Sequence, residues 1–254
     1  MAQRPGTAPL SVSIGQVPLT LFFQEDSLFE KAGRRYAGFS TPHSSGFPIF
    51  LSPEAGPLHA TSSADYSLHG ATLHVDSAAA HIRGVHSEFT VDSLLRVLLS
   101  MILLLRRGFL LHAATVERAG RAYIFMGCSG AGKSTVASLS PSGAPLSDEI
   151  SLLRAGDSGW LAHGTPFWGE FRSGNRNAHL PVAGIYALVQ AAENRVEEIS
   201  PREALRALLP NVLFFSGSAE QRNALLCITA ECAEALPFFR LQFRRDASFW
   251  EVLP

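Results

Sequence analysis

Three scarcities bound what this 254-residue chain can be. Cysteine is scarce. Cys128, Cys227 and Cys232 cannot build a disulfide framework, so a reducing, cytoplasmic setting is the simpler expectation. An excess of charge of either sign is missing. The 21 basic and 22 acidic residues leave a net charge of -1, which removes the electrostatic argument for nucleic acid or an anionic membrane as partner. A long unbroken apolar run is missing too. Leu94 to Leu111 comes nearest, but Arg96, Arg106 and Arg107 interrupt it and Gly108 breaks it, so it falls short of a membrane span. Met1 to Pro9 has no apolar stretch of the kind a signal peptide needs and reads as a loose terminus.

What is present suits a folded enzyme. A hydrophobic fraction of 46% supports a real core, and the length leaves room for one large domain or two small ones. The pattern changes near residue 90. Before it, short apolar or alternating runs (Val12 to Phe23, Phe47 to Leu51, Leu68 to Val75, Ala80 to Val85) are separated by Gly, Pro, Ser and His. Residues 1–90 therefore read as a β-rich region that binds an acceptor or serves as scaffold, with a helix around Asp26 to Ala32. His43, His59, His69, His74, His81 and His86 lie there, but their spacing matches no metal-ligand pattern and they read as surface or strand-face residues.

Residues 91–254 read as an α/β domain. A buried helix is expected from about Val91 to Arg106, with Thr90 or Asp92 as its cap. Two strands, Gly108 to Val116 and Arg121 to Met126, are joined by a tight turn. That makes them an antiparallel hairpin and excludes a doubly wound parallel sheet. Further on, Ile185 to Val189 reads as a strand. A helix follows Ser200, with Pro201 at its first position and Glu203 at the capping-box position. Ala219 to Ala235 reads as a second helix carrying Cys227 and Cys232 in the core. Phe238 to Arg244 alternates as an exposed strand would.

The chemistry concentrates after the hairpin. Gly127, Cys128, Ser129, Gly130, Ala131, Gly132, Lys133, Ser134 and Thr135 fill the pattern G-x-x-x-x-G-K-[ST] between a strand and a helix. The glycines let backbone N–H groups turn inward around phosphate. Lys133 reaches the β- and γ-phosphates, and the Ser134 hydroxyl suits Mg²⁺. Asp148 and Glu149 follow 15 and 16 residues beyond Lys133. One carboxylate there can hold Mg²⁺ and the other can take a proton from an attacking hydroxyl. Successive strand residues face opposite ways, so the two converge only if the strand starts irregularly. Pro166 to Arg172 reads as a site loop, with Glu170 a candidate metal ligand. Arg172, or alternatively Arg176, is the candidate that neutralises phosphate. Ser173 to Asn177 reads as a polar loop suited to closing over nucleotide.

His112-Ala-Ala, the glycine loop and Ser147-Asp148-Glu149 together resemble the catalytic domain of bacterial HPr serine kinase/phosphorylase. They resemble more closely the stand-alone HPr-kinase-related proteins, some of which are encoded with peptide-modifying enzymes. The likeness is specific from about His112 to Leu153. It continues weakly through Gly164 to Glu170, Pro201 to Leu205 and Leu241 to Leu253. It implies a core shared with phosphoenolpyruvate carboxykinase, a mixed and largely antiparallel sheet with the phosphate loop at a strand-to-helix junction. It also implies transfer of the ATP γ-phosphoryl group, with Mg²⁺, to a serine hydroxyl of a protein or peptide, and assembly into a homo-oligomer.

By the same resemblance His112 lies near the reacting phosphate, and Asp148 and Glu149 stand where the family usually has two aspartates, the second being the base. Glu149 is one methylene longer, in a geometry sensitive to ~1 Å. The family's N-terminal domain and a second signature segment are not recognisable, so the carrier protein HPr is not the expected acceptor. The alternatives are a kinase for a small molecule such as free serine, and a nucleotide-binding recognition module without catalysis.

Overall fold

The computed structural model describes residues 9–42, 45–54, 65–141, 144–169 and 176–254. The first part is β-rich as expected. Its elements are β1 (Leu10–Ile14), β2 (Val17–Phe23), α1 (Asp26–Arg35), β3 (Phe47–Ser52), β4 (Asp65–Leu68), β5 (Ala71–Val75) and β6 (Ala80–Arg83). They form a six-stranded sheet in the order β1-β2-β3-β6-β5-β4, with β2–β3 and β3–β6 parallel and the other pairs antiparallel. In α1, Asp26 opens the first turn and Arg34 and Arg35 close the last, both favourable to the helix dipole. His74 and His81 face each other across β5 and β6, and the His81 ring stacks on Phe50. His43 and His59 lie outside the described residues.

The remaining elements are α2 (Glu88–Leu104), β7 (Gly108–Arg118), β8 (Arg121–Met126), α3 (Lys133–Leu139), β9 (Pro145–Ser147), β10 (Ile150–Gly156), β11 (Gly159–His163), β12 (His179–Gln190), β13 (Arg195–Glu198), α4 (Pro201–Leu208), β14 (Val212–Leu213), α5 (Ala219–Ala235) and β15 (Phe238–Phe243). Nine strands form the second sheet along the path β11-β10-β7-β8-β12-β15-β13, with β9 and β14 on β7. The β7–β8 hairpin is antiparallel, while β12 runs parallel to both β8 and β15, so the sheet is mixed. A register shift between Val182 and Gly184 bends β12, whose first residues pair with β11 and whose later ones pair with β8. This closes a ring of five strands, β7, β8, β12, β11 and β10.

Helix α2 is apolar on nearly every face because it is enclosed. Val91, Leu94, Leu95, Leu98 and Leu99 are buried in one cluster with the β1–β6 sheet, α1, Leu110 of β7 and Ile150 and Leu152 of β10. Among the described residues no helix is long and apolar enough to cross a membrane. On the other face of the second sheet α4 and α5 cover β7, β8 and β12. The capping box of α4 forms as its sequence suggests, Ser200 accepting from Glu203 N–H and Glu203 accepting from Ser200 N–H.

Three expectations need correction. Neither Thr90 nor Asp92 caps α2. Ser87 does, accepting the Thr90 N–H at 3.2 Å, and the helix starts a turn earlier than its apolar run. Asp92 is instead buried, paired with the Arg35 guanidinium and accepting from the Tyr36 hydroxyl. Burial raises its pKa, and the bonds from Arg35 and Tyr36 oppose that rise. Strand β15 is interior, between β12 and β13, with Phe238, Leu241 and Phe243 buried. Cys232 lies in the core but Cys227 is exposed, because five positions on a helix do not share a face.

Removing one partner of a buried ion pair leaves the other uncompensated. Asp92→Ala should therefore cost about 3–5 kcal/mol of stability, read by urea unfolding. A second prediction concerns His163, which is buried and faces His179 across β11 and β12. Burial, reinforced by His179 and Arg154, pulls its pKa from 6.5 down to about 4. The unfolded chain therefore takes up a proton that the folded chain refuses. Stability is fully present above pH 6.5 and falls as pH drops towards 4, by an amount on the order of 3 kcal/mol. His163→Phe should flatten that part of the stability–pH curve. An unchanged slope would show that other groups carry it.

Candidate functional site

The site is built on β7. One edge of β7 pairs with β14 at Leu110 and Leu111, then with β8 from Ala113 onward. The other edge pairs with β10 up to His112, then with β9 at Thr115 and Val116. His112 and Ala113 thus stand at the level where β8 ends at Met126 and β10 begins at Ile150. Asp148 and Glu149 fill the gap between β9 and β10. The irregular start that would let two consecutive carboxylates converge is present.

Hydroxyls hold that gap in register. Ser151 Oγ donates to the Ala113 carbonyl at 2.9 Å and lies 2.6 Å from Thr115 Oγ1 and 2.9 Å from Ser147 Oγ, all three side chains buried. Ala113 N–H donates to the Glu149 carbonyl at 3.0 Å, so the backbone stays anchored where side-chain alternation lapses. Thr165 Oγ1 donates to the Ile150 carbonyl at 2.7 Å and fixes the segment that follows β11. That segment then places Gly169 over the acidic pair. Its N–H donates to Asp148 Oδ1 at 3.1 Å, and a methyl on Gly169 would stand 3.4 Å from Glu149 Cβ and 3.5 Å from Asp148 Oδ2. Both carboxylates therefore approach one backbone point. Asp148 is 3% exposed, whereas 33% of the Glu149 side chain remains open.

The glycine loop leaves β8 beside this pair. Gly127, Gly130 and Gly132 take positive φ values of 157°, 80° and 116°. Gly132 has a second constraint, since a Cβ there would meet the Phe243 ring at 2.8 Å. Lys133, 7% exposed, folds over its own loop and donates to the Gly127 and Cys128 carbonyls at 2.7 and 3.1 Å. Burial lowers its pKa, and the nearby Cys128 and Glu149 work against that. His112 is half-buried. Burial, then Lys133 and Arg96, lower its pKa, so it is neutral near pH 7. His112 pairs with Ile150, the residue after Glu149, and Arg96 reaches Glu149, so these side chains stand in one neighbourhood.

Arg96 carried no chemical expectation from the sequence, where it only interrupted an apolar run. From α2 its Nη2 reaches Glu149 Oε2 at 3.5 Å, and its guanidinium lies 5.2 Å from the centre of the buried Phe167 ring. No sequence signal marked it beyond being a charge inside an apolar helix. Trp168 and Phe89 flank Arg35, whose guanidinium carbon lies 3.6 and 5.3 Å from their ring centres. The Asp92 pair thus links α1 and α2 and, through Trp168, the segment above the carboxylates.

Not every expected residue joins the site. Arg176 pairs with Glu117, five residues along β7 from His112 and so about 16 Å away. Glu170, Arg172 and Ser173 lie outside the described residues. Among the described residues no three or more His, Cys, Asp or Glu side chains gather around one metal position. Ser134 and Asp148, the expected cation-holding residues among those described, and the adjacent Glu149 offer oxygen donors only, the donor type that Mg²⁺ takes.

The family model for SynChlorMet cassette protein ScmC matches residues 88–254, more than half of the chain, and the chain belongs to that family. The matched segment begins at the first residue of α2 and contains the glycine loop, the acidic pair, His112 and Arg96. Among curated proteins none matches.

The loop geometry yields a prediction. Gly132→Ala combines a left-handed backbone with a clash against a buried ring, and should cost roughly 1–2 kcal/mol or more, read as a lowered melting temperature. Gly130→Ala meets no neighbouring atom among the described residues and should cost less, since only the backbone term remains.

Proposed function

We propose that this protein is an ATP-dependent phosphotransferase of the HPr-kinase type, acting on a hydroxyl of a protein or peptide, most simply a serine. The observation that supports this reading most directly is the meeting of three features at one level of β7: the end of β8 with its glycine loop, His112, and the broken strand that carries Asp148 and Glu149. In this reading the N–H groups of Gly127 to Ser134 hold the phosphates, with Lys133 swinging from the Gly127 and Cys128 carbonyls to the β- and γ-oxygens. Ser134 and Asp148 would hold Mg²⁺, which would supply charge neutralisation when bound.

Glu149 is the better base because it is the open carboxylate of the two, while Asp148 is enclosed and tied to Gly169 N–H. Glu149 takes the acceptor hydroxyl proton as oxygen bonds to the γ-phosphorus and the bond from that phosphorus to the bridging oxygen of ADP breaks. Neutral His112 donates a hydrogen bond to the phosphoryl group without adding a competing cation.

The test is transfer of labelled γ-phosphate from Mg²⁺–ATP to serine peptides, free serine and a cell extract. Lys133→Ala and Glu149→Gln should each lower kcat/KM by about 10²-fold or more, with ATP still bound by Glu149→Gln. Transfer that persists at wild-type rate in Glu149→Gln would remove the base assignment. Tight ATP binding with neither transfer nor hydrolysis would favour a nucleotide-binding recognition module. Label appearing only on free serine would favour a small-molecule kinase.

A further inference from the structure

A cleft of about 780 Å³ opens between α1, the start of α2 and the Trp168–Gly169 segment. Glu149 lines it, so it gives access to the proposed base from the side formed by α1 and α2. Its charged lining is uneven. Arg35 and Asp92 neutralise each other within the wall. Arg96 lies beside Glu149 at the long distance of 3.5 Å, and among the described residues its buried Nε–H finds no acceptor. Lys31 and Arg34 project from the exposed face of α1, Arg34 no nearer than 3.9 Å to Glu30. Among the described residues Glu88 is the acid that remains, at the first position of α2. Phe89, 63% exposed, and Trp168 add aromatic surface.

We propose that this cleft receives the acceptor as a peptide segment with an acidic side chain close to the serine that is phosphorylated. The inference rests on the phosphotransferase reading. With the serine hydroxyl at Glu149, a neighbouring carboxylate reaches the partly exposed guanidinium of Arg96, whose planar fork suits it. Lys31 and Arg34 attract further acidic residues at the rim, and Phe89 and Trp168 pack against the peptide stem. The size fits a peptide better than a free amino acid, since the volume lies in the upper part of the ~300–1,000 Å³ range of sites for drug-sized ligands. The α1 wall lies before residue 88 and so outside the matched family segment.

The experiment compares one serine peptide flanked by glutamate with the same peptide flanked by glutamine or by lysine, and with free serine. The proteins are the wild-type full chain, an exposed-face double variant Lys31→Glu with Arg34→Glu, and Arg96→Gln. The glutamate peptide should be used with kcat/KM about tenfold above the glutamine peptide, and added salt should reduce that advantage. The double variant should lose the preference through KM, keep its affinity for ATP, and gain activity on the lysine peptide. Arg96→Gln should also lose the preference.

Lys31 and Lys133 are the only lysines of the chain, so amine-reactive footprinting reads the two sites separately. The glutamate peptide should shield Lys31, and ATP should shield Lys133. Equal use of the three peptides, no response to charge reversal, or efficient phosphorylation of free serine by the double variant would overturn the inference. If no acceptor is phosphorylated at all, the phosphotransferase reading fails. Footprinting then decides the cleft alone, with shielding of Lys31 by the acidic peptide supporting it and no shielding refuting it.

Discussion

Strand β7 pairs along one edge with two strand pieces, β9 and β10, and the two residues between them escape the alternation that β pairing imposes. Asp148 and Glu149 can share a site only because of that lapse. A gap in a buried strand would expose unpaired backbone, and the structure avoids this. The Glu149 carbonyl accepts from Ala113, and the buried hydroxyls of Thr115, Ser147 and Ser151 tie both sides of the gap to β7. The glycine loop on the other edge and the Gly164–Gly169 segment above both take their positions from this frame.

The N-terminal sheet reaches the same frame through a buried charge. Arg35 and Tyr36 converge on Asp92 inside an otherwise apolar cluster, and the Arg35 guanidinium stacks on Trp168. Such a pair adds little net stability compared with a packed apolar alternative, but it ties α1 to α2 in this placement. That placement sets the cleft beside Glu149. A second tie runs from Arg154 of β10 to the Gly15 carbonyl and Gln16 in the β1–β2 turn. The N-terminal region is therefore joined to both β10, which follows the acidic pair, and α2, which carries Arg96.

Much of the fold was legible because short-range rules dominate there. The β7–β8 hairpin follows from a tight turn, α4 from Ser200, Pro201 and Glu203, and α5 from its continuous helical run. Two of the misreadings share a cause. Asp92 looks like a cap because an acid near a helix start usually is one, yet its partners come from residues 35 and 36. β15 looks exposed because its alternation is that of a one-sided strand, yet neighbours flank it on both edges. In each case the deciding contact is distant in the chain.

The residues on offer are readable from the chain alone: a glycine loop with Lys133 and Ser134, two adjacent carboxylates, and a histidine on the strand before the loop. Those depend on residue type and close spacing, which local order preserves. Which of these groups meet is set by long-range packing. It brought Glu149 out and turned Asp148 in, set Arg96 beside the open carboxylate, and sent Arg176 to Glu117. It also built one wall of the cleft from α1, more than a hundred residues before Glu149. Burial and strand pairing fix such meetings, and neither is a property of any short stretch of chain.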